Sequence, residues 1–259
     1  MTSKVCVVTG GASGIGEAIA WALGRTGASV AIFDVDFERA KKVAAAIVDS
    51  GMLGAGYECD VSDRSSVESN FARVASDFGP VDVLVNNAGV SFVGPHIQDT
   101  DDNAWNKSIG VMQTGVFYCM RAASSHMLPR KSGCIVNVSS IRGFSPNPGR
   151  VAYCAAKAAV LMMTRVAAAE WGPYKVTVNA VAPGVQRTPM WERDVQLGVC
   201  DEQRVLSVTP VGRLGKPSEI GDLVCFLASD AAKFITGACI TIDGGLTAVP
   251  AEGDVVRPG

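Results

Sequence analysis

The feature that most restricts the fold is an alternation of two kinds of segment along roughly the first 180 residues. Short apolar runs rich in β-branched residues are each followed by a longer stretch in which apolar residues recur with helical spacing. Because the runs are apolar along most of their length, we expect helices to cover both faces of the sheet that they form. The alternation therefore predicts a doubly wound α/β fold with a parallel sheet. The predicted strands are Val5–Thr9, Ser29–Asp34, Ala55–Asp60, Val81–Asn86, Cys134–Ser139, Val176–Val181 and Cys239–Ile242.

Composition favours a single domain over residues 1–259. Hydrophobic residues make up 48% of the chain, enough for one large core, and no repeat or linker interrupts the pattern. The net charge of −2 comes from acidic and basic residues mixed along the chain, which gives no basic face for nucleic acid or an anionic membrane. No apolar run approaches the roughly 18 residues that a membrane helix requires. We therefore expect a cytoplasmic protein that binds neither nucleic acid nor membrane, with an irregular tail at residues 247–259.

Eight cysteines are scattered along the chain without a CxxC pair, and only two histidines accompany them. This spacing does not provide the clustered ligands of a structural metal site, so we expect no metal. Cys6 lies inside the apolar run Val5–Val8, where a thiol behaves as a small buried hydrophobic group.

A glycine-rich turn directly follows the first predicted strand. It runs from Thr9 to Gly16, and the helical pattern begins near Gly14. Glycines allow the backbone to turn sharply and to approach a pyrophosphate, whose negative charge then lies at the positive end of the helix dipole. This succession of strand, turn and helix indicates a dinucleotide-binding site.

Asp34, at the end of the second predicted strand, indicates which dinucleotide is bound. It lies about 20 residues beyond the glycines, where a carboxylate accepts hydrogen bonds from the adenosine ribose and repels the 2′-phosphate of NADP. Neither Ser13 nor Val35 is a base that would bind that phosphate. NAD is therefore the predicted cofactor, and the alternative for Asp34 is a solvated strand end.

Several motifs, in this order, resemble those of the short-chain dehydrogenase/reductase family over nearly the whole chain. The matching segments are Thr9–Gly16 (TGxxxGxG), Asp60-Val61, Asn86–Gly89 (NNAG), Ser140 followed 13 residues later by Tyr153–Lys157 (YxxxK), Asn179, Pro183-Gly184, Thr188 and Asp243–Gly245. The resemblance implies a seven-stranded Rossmann-type sheet and interconversion of a secondary alcohol and a ketone by hydride transfer. It also implies, as often in the family, a homotetramer built on long helices around residues 101–128 and 150–171. It does not fix the substrate.

Carried onto this sequence, the motifs also give the residues that we expect to bind NAD. Asp60-Val61 match the pair that contacts adenine, and Lys157 is expected to reach the nicotinamide ribose. The complete set is Gly10, Ser13, Gly14, Ile15, Gly16, Asp34, Asp60, Val61, Asn87, Ala88, Gly89, Tyr153, Lys157, Pro183, Gly184, Val185 and Thr188.

The resemblance assigns the chemistry to Ser140, Tyr153 and Lys157. Oxidation of an alcohol requires a base for the hydroxyl proton, but the pKa of tyrosine is ordinarily about 10, too high near neutrality. Tyr153 and Lys157 are four residues apart in a helical segment and share one face, where we expect the lysine ammonium to lower the tyrosine pKa. Ser140 ends the fifth predicted strand, where its hydroxyl can hold the substrate oxygen, and the adjacent Ser139 is the alternative. Taken singly, each of these residues also fits an ordinary structural role.

One position departs from the family pattern. An asparagine on the fourth helix, three residues before a glycine, usually holds a water that connects the catalytic lysine to solvent, and Met112 occupies that position here. Methionine forms no strong hydrogen bond to water, and the adjacent Gln113 is rotated by about 100° on a regular helix. Either backbone groups hold the water and turnover persists, or the relay is lost and the protein is an NAD-binding sensor or scaffold.

The substrate is expected to bind among the loops after the fourth, fifth and sixth strands, beneath a lid formed by residues 189–209. The residues predicted to contact it are Ser140, Arg142, Phe144, Arg150, Tyr153, Gln186, Arg187 and Trp191, with Phe92 and Met190 as further apolar lining. The arginines are either ordinary surface residues or bind an anionic group of the substrate, such as a carboxylate.

Overall fold

The computed structural model describes residues 3–90, 94 and 96–248, so Phe92 and most of the predicted tail lie outside the described residues. One sheet of parallel strands forms the centre, in the order β3-β2-β1-β4-β5-β6-β7. The direction of winding reverses between β1 and β4, which confirms the predicted doubly wound seven-stranded sheet in a single domain. The strands are β1 (Val5–Thr9), β2 (Ser29–Asp34), β3 (Leu53–Glu58), β4 (Val83–Asn86), β5 (Gly133–Val138), β6 (Val176–Pro183) and β7 (Cys239–Ile242).

Helices connect the strands and cover both faces of the sheet. The third helix is capped by Asp63, whose carboxylate accepts a hydrogen bond from the Ser65 amide. The long helix expected around residues 101–128 is instead two helices joined by a π turn, Gly110–Thr114. The helices are α1 (Gly14–Arg25), α2 (Phe37–Asp49), α3 (Arg64–Asp77), α4 (Asp102–Ile109), α5 (Gly115–Met127), α6 (Val151–Trp171), α7 (Pro189–Gln196), α8 (Glu202–Val208) and α9 (Pro217–Leu227).

The bounds of β3 differ from the prediction at both ends. The strand begins at Leu53, two residues before the predicted start, and ends at Glu58 rather than at Asp60. Glycine is depleted in strands, so Gly54 hid the start of the strand from the pattern. A Cβ at Gly56 would lie 2.7 Å from the Ala40 backbone, and the glycine therefore lets α2 pack closely on the strand.

Alternate side chains of each strand supply two cores, one on each face of the sheet. Cys6 and Val8 of β1 point to the face covered by α1, α2 and α9, whereas Val5 and Val7 point to the face covered by α3, α5 and α6. Cys6 is fully buried, as predicted for a thiol in an apolar run, and burial raises its pKa far above the ordinary value.

The helix α6 forms part of one segment, Val151–Tyr174, that is long and apolar enough to cross a membrane by length and composition alone. It packs against β6 and buries Ala156, Val160 and Ala167. The apolar character of α6 is therefore that of a core helix of the fold.

Candidate active site

A cavity of about 1030 Å³ opens at the carboxyl edge of the sheet, beside the crossover between β1 and β4. This is the position at which doubly wound sheets bind their ligands. Its wall contains Ser140, Tyr153 and Lys157, together with every residue predicted to bind NAD except Gly16. Of the remaining predicted substrate residues, the wall contains Arg142, Arg150, Gln186 and Trp191.

Two predicted substrate residues, Phe144 and Arg187, do not line this cavity. The side chain of Phe144 is 52% exposed beyond the short turn that follows β5. The Arg187 guanidinium is drawn to the surface by Glu202, with Nη2 and Oε1 2.7 Å apart. Asn179 also lies away from the cavity, because it is fully buried and its amide bonds the Ile235 carbonyl 2.7 Å away.

Glycines in the turn allow its backbone to pack closely on neighbouring backbone, and without their side chains the cavity beside the turn stays open. Gly10 and Gly14 have φ angles of +61° and +57°, a region that favours glycine. Gly16 does not line the cavity but supports the turn, since a Cβ there would collide with the Gly10 carbonyl oxygen. The Asn87 side-chain amide donates to the Thr9 and Gly10 carbonyl oxygens at 3.1 and 3.0 Å, which fixes the turn to the end of β4.

Thr9 connects the first and fourth strands, a role that the sequence analysis did not assign. Its hydroxyl oxygen accepts hydrogen bonds from the Asn87 and Ala88 amides, each at 3.0 Å, and its side chain is buried. The threonine that opens the TGxxxGxG motif is the sequence signal that marks this position.

Two carboxylates stand on the cavity wall at strand ends. Asp34 Oδ2 accepts from the Ala12 amide at 3.1 Å and its Oδ1 from the Asp36 amide at 3.0 Å, which holds the carboxylate next to the glycine turn. Asp60 Oδ1 accepts from the Ser62 amide at 2.8 Å. A glycine-rich turn, the beginning of α1 and a fixed carboxylate at the end of β2 together fit a nicotinamide dinucleotide.

The structure distinguishes the two adjacent serines at the end of β5. Ser139 donates its hydroxyl to the Lys157 carbonyl at 2.9 Å, so it ties β5 to α6. Ser140 Oγ accepts from the Arg142 amide at 3.1 Å and interacts with the Tyr153 side chain. Ser140 is therefore the serine that faces the tyrosine.

The same cause, burial, moves the pKa values of Tyr153 and Lys157 in opposite directions. Burial raises the pKa of Tyr153, and the Ser140 hydroxyl followed by the charge of Arg150 acts in the opposite sense. Burial lowers the pKa of Lys157 to about 8. The expectation that Lys157 lowers the tyrosine pKa is not met: its Nζ donates to the Val138 carbonyl at 2.8 Å and lies 5.7 Å from the centre of the tyrosine ring.

Met112 lies in the π turn and is fully buried. Its side chain packs against Gly89, where a Cβ would lie 3.7 Å from the sulfur. The neighbouring residues Gly110 and Val111 line the cavity, whereas the Met112 side chain does not.

The cavity wall also contains residues that no motif marks. Asn106 and Lys107 of α4 line it, as do Asp194 of α7, Cys200 and Arg204. Arg150 Nη2 lies 3.4 Å from Asp194 Oδ2 and 3.7 Å from Cys200 Sγ. Residues 189–209, where the sequence predicts a lid, contain α7 and α8 and contact the start of α6 through Arg150.

Gln186 is buried on the same wall, and within the described part of the chain its Oε1 has no hydrogen-bond partner. A buried amide oxygen without a partner is costly unless a ligand or water supplies a donor. This observation supports the prediction that Gln186 contacts a ligand.

Comparison with known proteins agrees with this geometry. A family model described as enoyl-(acyl carrier protein) reductase matches residues 10–247. The chain is 43% identical over 249 residues to cis-4-hydroxycyclohexanecarboxylate dehydrogenase of Sinomonas cyclohexanicum, covering 95% of this chain and 97% of the relative. It is 39% identical over 252 residues to 2-(S)-hydroxypropyl-CoM dehydrogenase 3 of Xanthobacter autotrophicus, covering 96% and 98%.

A solved structure agrees with the same assignment. It is described as that of a short-chain alcohol dehydrogenase from Sinorhizobium meliloti 1021, and it matches with a TM-score of 0.89 at 37% sequence identity. The match covers 96% of this chain and 98% of that one. The chain belongs to the short-chain dehydrogenase/reductase family and is an oxidoreductase that acts on CH–OH groups with a nicotinamide cofactor.

Proposed function

We propose that the protein is an NAD-dependent dehydrogenase that interconverts a secondary alcohol and a ketone, with Tyr153 as the general acid and base. The observation that carries the proposal is that Ser140, Tyr153 and Lys157 line the same cavity as the glycine turn and Asp34. Bound NAD would supply the hydride acceptor for the alcohol carbon, and the protein supplies position and proton transfer.

Tyr153 exchanges the proton of the substrate hydroxyl. In the oxidative direction its phenolate accepts that proton, and in the reductive direction its phenol returns it to the oxygen of the ketone. Ser140, which interacts with the tyrosine side chain, holds the substrate oxygen by a hydrogen bond. Because burial raises the pKa of Tyr153, the oxidative rate should increase with pH as the phenolate forms.

We propose that backbone groups of the π turn replace the side chain of the family asparagine. The Gly115 amide bonds the Gly110 carbonyl, five residues earlier, so one carbonyl near this turn leaves the regular helical pattern. A carbonyl oxygen facing the cavity can accept a hydrogen bond from a water, which a methionine cannot do well. This arrangement favours an active enzyme over a sensor or scaffold without turnover.

NAD is proposed over NADP because of Asp34. Its carboxylate is fixed next to the glycine turn by the amides of Ala12 and Asp36. A fixed negative charge accepts hydrogen bonds from ribose hydroxyls and repels a 2′-phosphate.

A ring alcohol is the proposed substrate, because the relative with 43% identity is named for a hydroxycyclohexane compound. We also propose a cytoplasmic homotetramer built on α4 to α6. Size-exclusion chromatography with light scattering measures its mass.

The test is turnover with NAD and a panel of secondary alcohols that includes cyclohexanol and 4-hydroxycyclohexanecarboxylate, monitored by absorbance of the reduced nicotinamide. We expect activity in the natural protein and a loss of at least about a hundredfold in Tyr153→Phe, since proton transfer contributes 10²–10⁴ to rates. Tyr153→Phe should still bind NAD in a calorimetric titration. Retained turnover in that variant would contradict the role of Tyr153, and NAD binding without turnover of any alcohol by the natural protein would favour the sensor.

A further inference from the structure

Arg150 differs from the two other arginines that the sequence offered as substrate contacts. Its side chain is 15% exposed and lies on the cavity wall. Arg187 is 54% exposed and pairs with Glu202 away from the cavity, and the Arg142 guanidinium donates to the Pro146 carbonyl at 3.1 Å. Arg142 and Arg150 therefore both line the cavity, and Arg150 is the better shielded guanidinium with the larger effect on the Tyr153 pKa.

The contact between Arg150 and Asp194 is loose for a pair that is so well shielded from solvent. The closest nitrogen and oxygen are 3.4 Å apart, whereas charge-assisted hydrogen bonds of this type are ordinarily about 2.7–2.9 Å long. Asp194 is 9% exposed and also lies 3.5 Å from the Arg193 guanidinium, so two cations share one carboxylate. Arg150 and Asp194 therefore do not form a short bidentate pair.

Positive charge predominates on this part of the wall. Among the segments that follow β5 and β6 and on α6, the charged lining residues are Arg142, Arg150, Lys157 and Arg204 against Asp194 and Asp201. Asp201 accepts a hydrogen bond from the Arg204 amide at the start of α8, so its carboxylate has a capping role. Cations outnumber carboxylates where a substrate would bind.

We propose that the substrate is a hydroxy acid, a secondary alcohol that carries a carboxylate, and that Arg150 binds this carboxylate. The inference rests on the proposed function and specifies its substrate class. Arg150 directly precedes α6, three residues before Tyr153, so an anion held there directs the remainder of a small molecule toward the tyrosine. A guanidinium carries five N–H donors in a planar fork and can bind a carboxylate through two of them while contacting Asp194.

The experiment compares 4-hydroxycyclohexanecarboxylate with its primary amide, which keeps the ring and hydroxyl but removes the charge. We expect kcat/KM of the natural protein to be at least about tenfold higher for the acid than for the amide. A hydrogen bond to a charged group stabilises a complex enough to change an equilibrium constant by about tenfold or more. Arg150→Ala should abolish this preference mainly through the KM of the acid, and Arg150→Lys should restore part of it. Arg165→Ala, which removes an exposed arginine from the same helix, is the matched control and should leave the preference unchanged.

Two further variants separate recognition from folding and from chemistry. In Arg150→Ala/Asp194→Ala both charges of the pair are removed, so no buried carboxylate remains without its partner, and the acid preference should again be absent. In NAD-loaded Tyr153→Phe, calorimetry should still show tighter binding of the acid than of the amide, so the inference can be tested even if the proposed chemistry fails. Equal losses for acid and amide in Arg150→Ala, or no binding preference in Tyr153→Phe, would overturn the inference.

Discussion

At the scale of single residues, burial decides the ionisation of the catalytic pair. Tyr153 and Lys157 share one helical face as the four-residue spacing predicts, yet the ammonium bonds the Val138 carbonyl and not the tyrosine. Arg150 and Arg142 are the cations that lower the tyrosine pKa, against the larger effect of burial. The positive charge that lowers the tyrosine pKa therefore comes from these two arginines and not from Lys157.

Lys157 should make the stability of the cofactor-free protein depend on pH. Its pKa falls from 10.5 to about 8 on folding, so between these values the unfolded chain binds a proton that the folded protein does not. The free energy of unfolding contributed by this group therefore rises with pH from about 8 to about 10.5. The stability of the natural protein relative to Lys157→Met should therefore be about 3 kcal/mol lower below pH 8 than above pH 10.5.

Urea denaturation of both proteins at pH 7.5 and pH 10.5 measures this difference. Lys42→Met removes an exposed lysine of α2 and should show the same difference from the natural protein at both pH values. A pH-independent difference for Lys157→Met would show that the lysine is charged throughout in the folded protein.

At the scale of elements, close packing between the ends of β1 and β4 fixes the position of the dinucleotide turn. Thr9 and Asn87 join the ends of β1 and β4 by four hydrogen bonds around the glycines. The π turn between α4 and α5 also borders the cavity, through Gly110 and Val111. In both places glycines lie on the cavity wall, and the position of their backbone depends on packing.

Gly16→Ala should therefore weaken NAD binding by at least about tenfold and lower the melting temperature. The added Cβ collides with the Gly10 carbonyl and with the Asn87 amide, and a rearranged turn loses hydrogen bonds worth about 1 kcal/mol each. Calorimetric titration with NAD and a thermal melt measure both effects. Gly172→Ala is the matched control, because a Cβ there meets nothing within 4 Å, and NAD affinity equal to the natural protein in Gly16→Ala would contradict the assignment of the turn.

At the scale of the whole molecule, the sheet order gathers residues that are far apart in the chain. The reversal between β1 and β4 opens a crevice into which the ends of several strands deliver Asp34, Asp60, Asn87, Ser140 and Gly184. The two cores hold these strand ends in place from both faces. Cofactor binding in this crevice should therefore stabilise the whole domain.

NAD should raise the free energy of unfolding by about 2.7 kcal/mol at a concentration one hundred times its Kd. NADP at the same concentration should stabilise the protein much less, because the Asp34 carboxylate repels its 2′-phosphate. Asp34→Ser should narrow the difference between the two cofactors, and urea denaturation with each of them measures it. Equal stabilisation of the natural protein by NAD and NADP would contradict the predicted preference.

The sequence by itself determined the fold and most of the cavity wall. Hydrophobic periodicity is a local property, so all seven strands were located from neighbouring residues alone, although the bounds of β3, β4, β5 and β6 differ from the predicted ones by one or two residues. Motif residues such as Gly10, Asp34 and Tyr153 follow strands or share a helical face, and their positions follow once the parallel sheet is known. The choice of Ser140 over Ser139 also agrees with the spacing to Tyr153.

Only the tertiary structure decided which side chains near the substrate face the cavity. The sequence treated Arg142, Arg150 and Arg187 alike, and it placed Phe144 on a wall that it does not line. Arg187 turns outward because Glu202, fifteen residues later, attracts it, whereas Arg150 is held inside by Asp194, forty-four residues later. Such contacts depend on the path that α7 and α8 take over the cavity, and neither periodicity nor a motif encodes that path, because it results from packing between distant segments.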